Sequence, residues 1–455
     1  MPVLRKKNAL QLSVQKPVYK KIETVKGLKW MRKPIKVEDA IHKVMTWTLT
    51  GSKEMVPLPV SANRVLAEDL TATNDVPWFT RSPYDGYALF SGSTAAASAD
   101  HPVFLEVLGT IGAGFTWDEG IRPGQAVKIM TGAAVPDGAD AVIMVELTKE
   151  IEKGGKTYVQ IKRRVHKGEN IVHIGEDMKK GETLVAKGTV INPGVMAALA
   201  TFGYQQVAVM KKPKAAIIAT GSELLEVDAS LEKGKIRDSN AYMLQAQILR
   251  AGGEPSFYCL VQDDFEETCL AVKQALQEAD IVMTTGGVSV GDFDYIPQVY
   301  EKLGAELLFN KVAMRPGSVT SAAVLDGKII FGLSGNPSSC YVGFELFVRP
   351  YIKAMSGQQN VFLKKVQAVL EQDFLTPNPF TRFVRARAGF SGNVLHAGPV
   401  RLDKPNIVSS LIEANALIML PGGSRGFKRG EDAEVLLLED DEGAPVWDEK
   451  PAERF

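Results

Sequence analysis

Three apolar runs in the middle of the chain end in acids. Ile281-Val282-Met283 feeds a loop with Gly286, Gly287 and Gly291 that delivers Asp292 and Asp294 two residues apart. Ala215-Ala216-Ile217-Ile218-Ala219 leads into Thr220-Gly221-Ser222-Glu223, and the run from Phe257 to Val261 leads into Asp263-Asp264. Glycines let backbone N–H groups close on an anion, Ser289 adds a hydroxyl, and carboxylates beside such a cradle suit a divalent cation that bridges to phosphate. Cations follow in Phe309-Asn310-Lys311-Val312-Ala313-Met314-Arg315-Pro316-Gly317-Ser318. Gly332-Leu333-Ser334-Gly335-Asn336-Pro337-Ser338-Ser339 then joins the run from Lys328 to Phe331 to an apolar helix, again an arrangement that receives anions. Each piece also has a plainer reading. A glycine loop with acids is often a solvated turn, and Asp263 or Asp264 is placed to cap a helix opening at Phe265.

The elements between these ends can be read from periodicity. Ala241, Leu244, Ile248 and Ala251 recur at helical spacing up to Gly252-Gly253, and Phe265, Cys269, Val272, Leu276 and Ala279 do the same. Strand, helix, strand, helix, strand at this spacing predicts a doubly wound parallel sheet within residues 213–360. With right-handed crossovers the carboxyl ends of its strands share one edge, so Glu223, Asp263, Asp292 and Asp294 are expected to converge on one crevice. Neither G-x-x-x-x-G-K-[ST] nor G-x-G-x-x-G occurs, which disfavours an ordinary NTPase or dehydrogenase.

Around this unit the chain is β-rich. Residues 1–30 set eight Lys and Arg against Glu23 alone, lack the apolar core of a secretory signal, and read as a basic, poorly ordered extension. Val37, Ala40, Ile41, Val44, Met45 and Leu49 predict an amphipathic helix. Residues 31–71 thus open a linker domain, in which Val65-Leu66-Ala67 reads as a helical turn. Val76 to Ala88 is a proline-punctuated loop in which Trp78, Phe79 and Tyr84 alternate with Arg81 and Asp85; it is either a binding surface or a face packed on a neighbouring domain. Residues 72–173 read as a small β module, 174–212 as a β-rich completion of the linker, 361–440 as a C-terminal β domain and 441–455 as a tail. Asp177, in Gly175-Glu176-Asp177, has an Asx turn as its plain reading. Arg382, Arg385 and Arg387 alternate in one predicted strand, where they either hold an oxyanion or line a solvated face.

Composition excludes several classes. Lys+Arg and Asp+Glu balance at 53 each, leaving no net charge to draw the whole chain to nucleic acid or a membrane surface. No run approaches the roughly 20 apolar residues of a membrane span. Cys259, Cys269 and Cys340 show no metal-ligand spacing and read as reduced thiols of a cytoplasmic protein.

Taken together these motifs resemble the molybdopterin molybdenumtransferase family, the MoeA-type enzymes that include the C-terminal domain of gephyrin. The resemblance runs from Met31 to about Leu438. It rests on Ser82-Pro83-Tyr84-Asp85-Gly86-Tyr87-Ala88, Ile129-Met130-Thr131-Gly132-Ala133, Gly175-Glu176-Asp177, Thr220-Gly221-Ser222-Glu223-Leu224, Gly286-Gly287-Val288-Ser289-Val290-Gly291 and Gly335-Asn336-Pro337. It implies an elongated homodimer of four-domain subunits: a molybdopterin-binding α/β domain, β-rich arms and a C-terminal β domain. The implied reaction inserts molybdate into adenylylated molybdopterin, with Mg²⁺, and releases AMP.

By motif match the family's functional acids fall on Asp85, Asp177, Glu223, Asp263 and Asp294, with Glu223, Asp263 and Asp294 as the implied metal ligands. Thr220, Gly221, Gly286, Gly287, Ser289, Gly335, Asn336 and Pro337 fall on its molybdopterin-AMP contacts. Lys311, Arg315, Ser318, Arg385 and one of Ser409 or Ser410 fall on its anion contacts. The family pattern implies that Asp85 reaches the partner subunit's crevice, and the preceding adenylyltransferase and cofactor-free molybdoenzymes are the implied partners. Three departures stand out: the usual K-P-G-K reads Arg315-Pro316-Gly317-Ser318, the proline before G-N-P is Ser334, and T-G-D-E reads Thr220-Gly221-Ser222-Glu223. The alternatives to an insertase are a molybdopterin adenylyltransferase and a non-catalytic scaffold or carrier on the same fold.

Overall fold

A computed structural model of the chain describes residues 33–287, 295–400 and 403–438. The strands Lys214–Thr220, Ile281–Thr285 and Lys328–Leu333 are apolar on both faces, as strands sandwiched between helices must be. Their odd residues Ala215, Ile217, Met283 and Phe331 join one core with Ala241, Leu244 and Ile248 of helix Asn240–Arg250. Their even residues Ala216, Ile218, Val282 and Ile330 join a second core with helices Phe265–Glu278 and Ile296–Leu303. Strand alternation therefore sorts the helices onto the two faces.

The six strands run in the order Glu254–Val261, Lys214–Thr220, Ile281–Thr285, Lys328–Leu333, Ser321–Leu325, Glu306–Phe309. The first four are parallel and the last two add an antiparallel edge. From Lys214–Thr220 the chain steps outward to Glu254–Val261 and returns on the other side to Ile281–Thr285. The carboxyl ends of Lys214–Thr220 and Ile281–Thr285 thus flank the topological switch point, where open α/β sheets bind their ligands.

Linker and arm are threaded in and out of one another. Lys53–Pro57 pairs with Gln206–Met210 and Leu70–Thr71 with Thr183–Val185, so the linker is built from chain on both sides of the six-stranded module spanning Gly86–Leu89 to Lys156–Ile161. Two expectations are corrected here. Val65 and Leu66 do not form a helical turn; both are buried and make β-bridges to Val190 and Val209, an extended conformation that suits a β-branched residue packed on both sides. The stretch 174–212, read as β-rich, contains the helix Pro193–Thr201. Its Asn192 side chain accepts from Val195 N at 2.9 Å and Pro193 sits where a missing N–H costs nothing.

The C-terminal strands Thr381–Ser391, Val394–Pro399, Lys364–Leu370, Asp432–Leu437 and Ala416–Leu420 close into a barrel, because Thr381–Ser391 pairs at one end with Val394–Pro399 and at the other with Ala416–Leu420. A short strand of the sheet domain, Met314–Arg315, adds in parallel to Thr381-Arg382 and stitches the two domains together. Among the described residues no helix is long and apolar enough to cross a membrane.

Candidate active site

The crevice at the switch point is made of backbone packed on backbone. Gly286 takes a φ of +96°, and a Cβ there would lie 2.3 Å from the Thr220 carbonyl oxygen, so only glycine lets the two strand ends approach so closely. Thr220 Oγ1 donates to Thr285 O at 3.3 Å and Gly286 N to Leu333 O at 3.2 Å, tying three neighbouring strand ends. Ser222 N donates to Asp263 Oδ2 at 2.8 Å while Asp263 N donates to Ser222 Oγ at 3.1 Å, locking the fourth. Thr220, Asp263, Thr268, Gly287, Tyr295 and Ile296 line a pocket there. Of the two adjacent acids, it is Asp264 that caps helix Phe265–Glu278, accepting from Glu267 N at 2.8 Å. Asp263 instead bonds across to Ser222 through Oδ2 and its N–H. Glu223 is exposed at the rim. Ser289, Asp292 and Asp294 lie outside the described residues, and among the described residues no three metal-ligating side chains cluster.

A second assembly forms where the sheet domain meets the barrel. The segment carrying Lys311, Arg315 and Ser318 is folded on itself by Val312 N to Ser318 O at 2.9 Å, and Arg315 lies opposite Arg382 across the parallel strand pair. Gly317 packs so closely on the Ser339 carbonyl that a Cβ would meet it at 3.2 Å, which brings the cationic segment against the first turn of helix Pro337–Gly343. On the barrel side, Ser338 N donates to Pro405 O at 3.1 Å and Ser338 Oγ to Ile407 O at 3.2 Å. Beneath that loop Arg385 is 1% exposed. Its Nε donates to Ser410 Oγ at 2.8 Å, its Nη2 reaches Lys404 O at 3.1 Å and Asp403 Oδ1 at 3.0 Å, and its Nη1 has no partner. Burial, the larger influence, holds the guanidinium below its ordinary pKa, with Asp403 acting in the opposite sense. Ser410 is wholly buried and donates onward to Ile407 O at 2.8 Å, so of the two candidate serines only Ser409 presents surface.

The three alternating arginines do not share a face. Arg385 is buried, Arg387 is exposed, and Arg382 lies on the opposite parity from both; what joins Arg382 to Arg385 is Asp403, which accepts from Arg382 at 2.7 Å and from Arg385 at 3.0 Å. Asp403 had no signal in the sequence beyond being one acid in a loop.

Asp85 and Asp177 belong to a third place, the arm and linker. Asp85 Oδ1 accepts from Thr131 N at 2.7 Å and Thr131 Oγ1 at 2.8 Å, and these bonds lower its pKa. Asp177 is exposed, with its N–H on Val76 O at 3.0 Å. Around them Trp78 is 72% exposed and Phe79 and Tyr84 are also open to solvent. Sequence reasoning also passed over Asn240, a buried side chain that touches both glycine loops.

Comparison with known proteins covers almost the whole described chain. Residues 35–203 match the MoeA N-terminal region (domain I and II), 216–354 a probable molybdopterin binding domain and 367–438 the MoeA C-terminal region (domain IV). The chain is 51% identical over 413 residues to a molybdopterin molybdenumtransferase of Bacillus subtilis (strain 168), covering 91% of this chain and 96% of that one. It is 48% identical over 410 residues to one of Staphylococcus aureus (strain COL), covering 90% and 97%. Among solved structures it is similar to a molybdopterin biosynthesis moeA protein from Pyrococcus horikoshii OT3, with a TM-score of 0.75 and 34% identity over 89% of this chain and all of that one.

Proposed function

The chain belongs to the MoeA family, and from that membership we propose that it is a cytoplasmic molybdenum insertase, transferring molybdate into adenylylated molybdopterin with release of AMP. The observation that carries this reading is the meeting of two anion-receiving assemblies on one domain: a switch-point crevice with Thr220, Gly286, Gly287 and Asp263, on which Gly335 packs, and the segment carrying Lys311 and Arg315, whose Gly317 packs on Ser339 of the helix that follows the Gly335-Asn336-Pro337 turn. A nucleotide-bearing substrate bound across the strand ends would extend its phosphates toward backbone N–H groups, while Lys311, Arg315 and Ser409 receive the oxyanion at the barrel side.

Asp263 and Glu223 would offer the hard carboxylate oxygens that Mg²⁺ takes, with Asp294, outside the described residues, as the third ligand that the family pattern implies. A bound Mg²⁺ would neutralise the pyrophosphate whose P–O bond breaks as AMP leaves. The chain's own part is to fix Asp263, which lines the pocket, through its two hydrogen bonds with Ser222 and to keep the crevice walls close. Asp85, held in the arm, reaches the crevice of the partner subunit in a homodimer, and the exposed Trp78 and Phe79 form part of that contact, while Asp177, in the linker, is the family's remaining functional acid. The preceding adenylyltransferase supplies the substrate and cofactor-free molybdoenzymes take the product.

A scaffold or carrier is the second reading. It is favoured by Ser318 in place of a cation and by Arg385 lying covered and paired with Asp403. Incubating the protein with adenylylated molybdopterin, Mg²⁺ and molybdate and then adding a cofactor-free molybdoenzyme decides between them. Activation that depends on the protein is the expected result; none, with the substrate recovered intact, would contradict the insertase.

A further inference from the structure

Asn240 is the first residue of helix Asn240–Arg250 and is 6% exposed. Its Nδ2 donates to the Gly335 carbonyl oxygen at 2.8 Å and to Thr285 Oγ1 at 3.2 Å. The carbonyl can only accept, so the amide nitrogen must face it and the orientation of the side chain is fixed. Thr285 ends the strand that opens into Gly286-Gly287, and Gly335 follows the neighbouring strand Lys328–Leu333. One buried amide thus ties the starts of the two glycine loops between which the substrate's anionic part is read to bind.

The helix does not need this tie to stay in place. Asp238 accepts from Ala241 N and from the Tyr258 hydroxyl, both at 3.1 Å, fixing the helix start to strand Glu254–Val261. At the far end Gln247 and Arg250 bind Glu345, and Ala241, Leu244 and Ile248 are fully buried. The Asn240 side chain also carries a cost: its Oδ1 is buried without a partner. A side chain that leaves a buried acceptor unsatisfied, on a helix anchored by other means, is kept for what its two donors hold.

We infer that Asn240 is a positioning residue, setting the separation of the Gly286-Gly287 loop from the Gly335-Asn336-Pro337 turn and thereby the affinity of the crevice for the nucleotide phosphates. This rests on the reading of that crevice as the molybdopterin-AMP site. It places in the machinery a residue that touches no ligand itself.

The test uses the full chain with Asn240→Leu, Thr285→Val and Thr285→Ser. Amide hydrogen exchange of peptides spanning 283–287 and 333–339 reports loop positioning, and calorimetric binding of AMP with Mg²⁺ reports function. Asn240→Leu should speed exchange in both peptides and weaken AMP binding by about tenfold, the scale of two lost neutral hydrogen bonds. In turnover the loss should fall on KM with kcat nearly kept. Thr285→Val should give a smaller loss of the same kind and Thr285→Ser should restore it. Unchanged exchange in both Asn240→Leu and Thr285→Val, or faster exchange with parental AMP affinity, would overturn the inference. A parent protein that binds no AMP would instead overturn the reading beneath it, and that shows before any variant is made.

Discussion

Replacing Asp403 with Ala should destabilise the barrel and, at the same time, make it responsive to oxyanions. Asp403 is 17% exposed and accepts from both Arg385, 1% exposed, and Arg382, 25% exposed. Removing it leaves Arg385 with only Ser410 Oγ and Lys404 O, in a site that already fails to satisfy its Nη1. A buried charge stripped of its partner costs about 3–5 kcal/mol, whereas the more exposed Arg382 pair adds at most about 1 kcal/mol. Thermal unfolding of the variant should therefore begin on the order of 10 °C lower. If the cavity vacated by the carboxylate accepts a tetrahedral oxyanion, molybdate or sulfate at a hundred times its dissociation constant returns about 2.7 kcal/mol. Differential scanning fluorimetry with and without each anion measures both quantities, and Asp403→Asn, which keeps an acceptor of the same shape, should lose less. A variant that unfolds with the parent would refute the burial argument, and one that unfolds early but ignores both anions would remove Arg385 from the anion site.

Three further outcomes follow from the geometry. Asp263→Asn should raise the Mg²⁺ concentration needed for half-maximal turnover, whereas Asp264→Ala should cost about 1 kcal/mol of stability through the lost cap and leave Mg²⁺ dependence alone; the reverse pattern in a Mg²⁺ titration would exchange the roles assigned to the two acids. Changing Glu345, wholly buried between Arg250 and Arg349, to Ala should lower the free energy of chemical unfolding by about 3–5 kcal/mol and changing it to Gln by less, and parental unfolding curves for both would show that the triad is dispensable. The Asp85 carboxyl should titrate by NMR below its ordinary 3.8, because Thr131 donates to the ionised form. With its folded pKa depressed, the contact is fully formed above 3.8 and is lost only as pH falls through the lower folded value; a midpoint at or above 3.8 would contradict the hydrogen-bonded geometry.

The sheet domain was legible because its sequence is locally consistent. Ala215 to Thr220 and Ile281 to Thr285 are apolar on both faces, their helices carry period-3.6 cores, and glycines mark each strand end. What escaped was structure made by distant partners. Val65 and Leu66 read as a turn because their bridges to Val190 and Val209 lie far along the chain. The edge strands Ser321–Leu325 and Glu306–Phe309 are short and follow a loop, so periodicity alone did not separate them. At the site, glycine and acid motifs pointed to the crevice, but which acid caps the helix and which lines the pocket could not be read from Asp263-Asp264, since the two adjacent aspartates cap equally well. The pairing of Arg385 with Asp403, and the bridge made by Asn240, are contacts between residues whose types carry no local signal for one another.

The most direct measurement is AMP release from adenylylated molybdopterin with Mg²⁺, with and without molybdate, by the parent protein and by Lys311→Ala. An insertase of the proposed kind releases AMP in step with added molybdate, and Lys311→Ala needs more molybdate for the same rate. Tight binding of the substrate with no molybdate-dependent AMP in either protein would contradict insertion and leave a carrier on this fold.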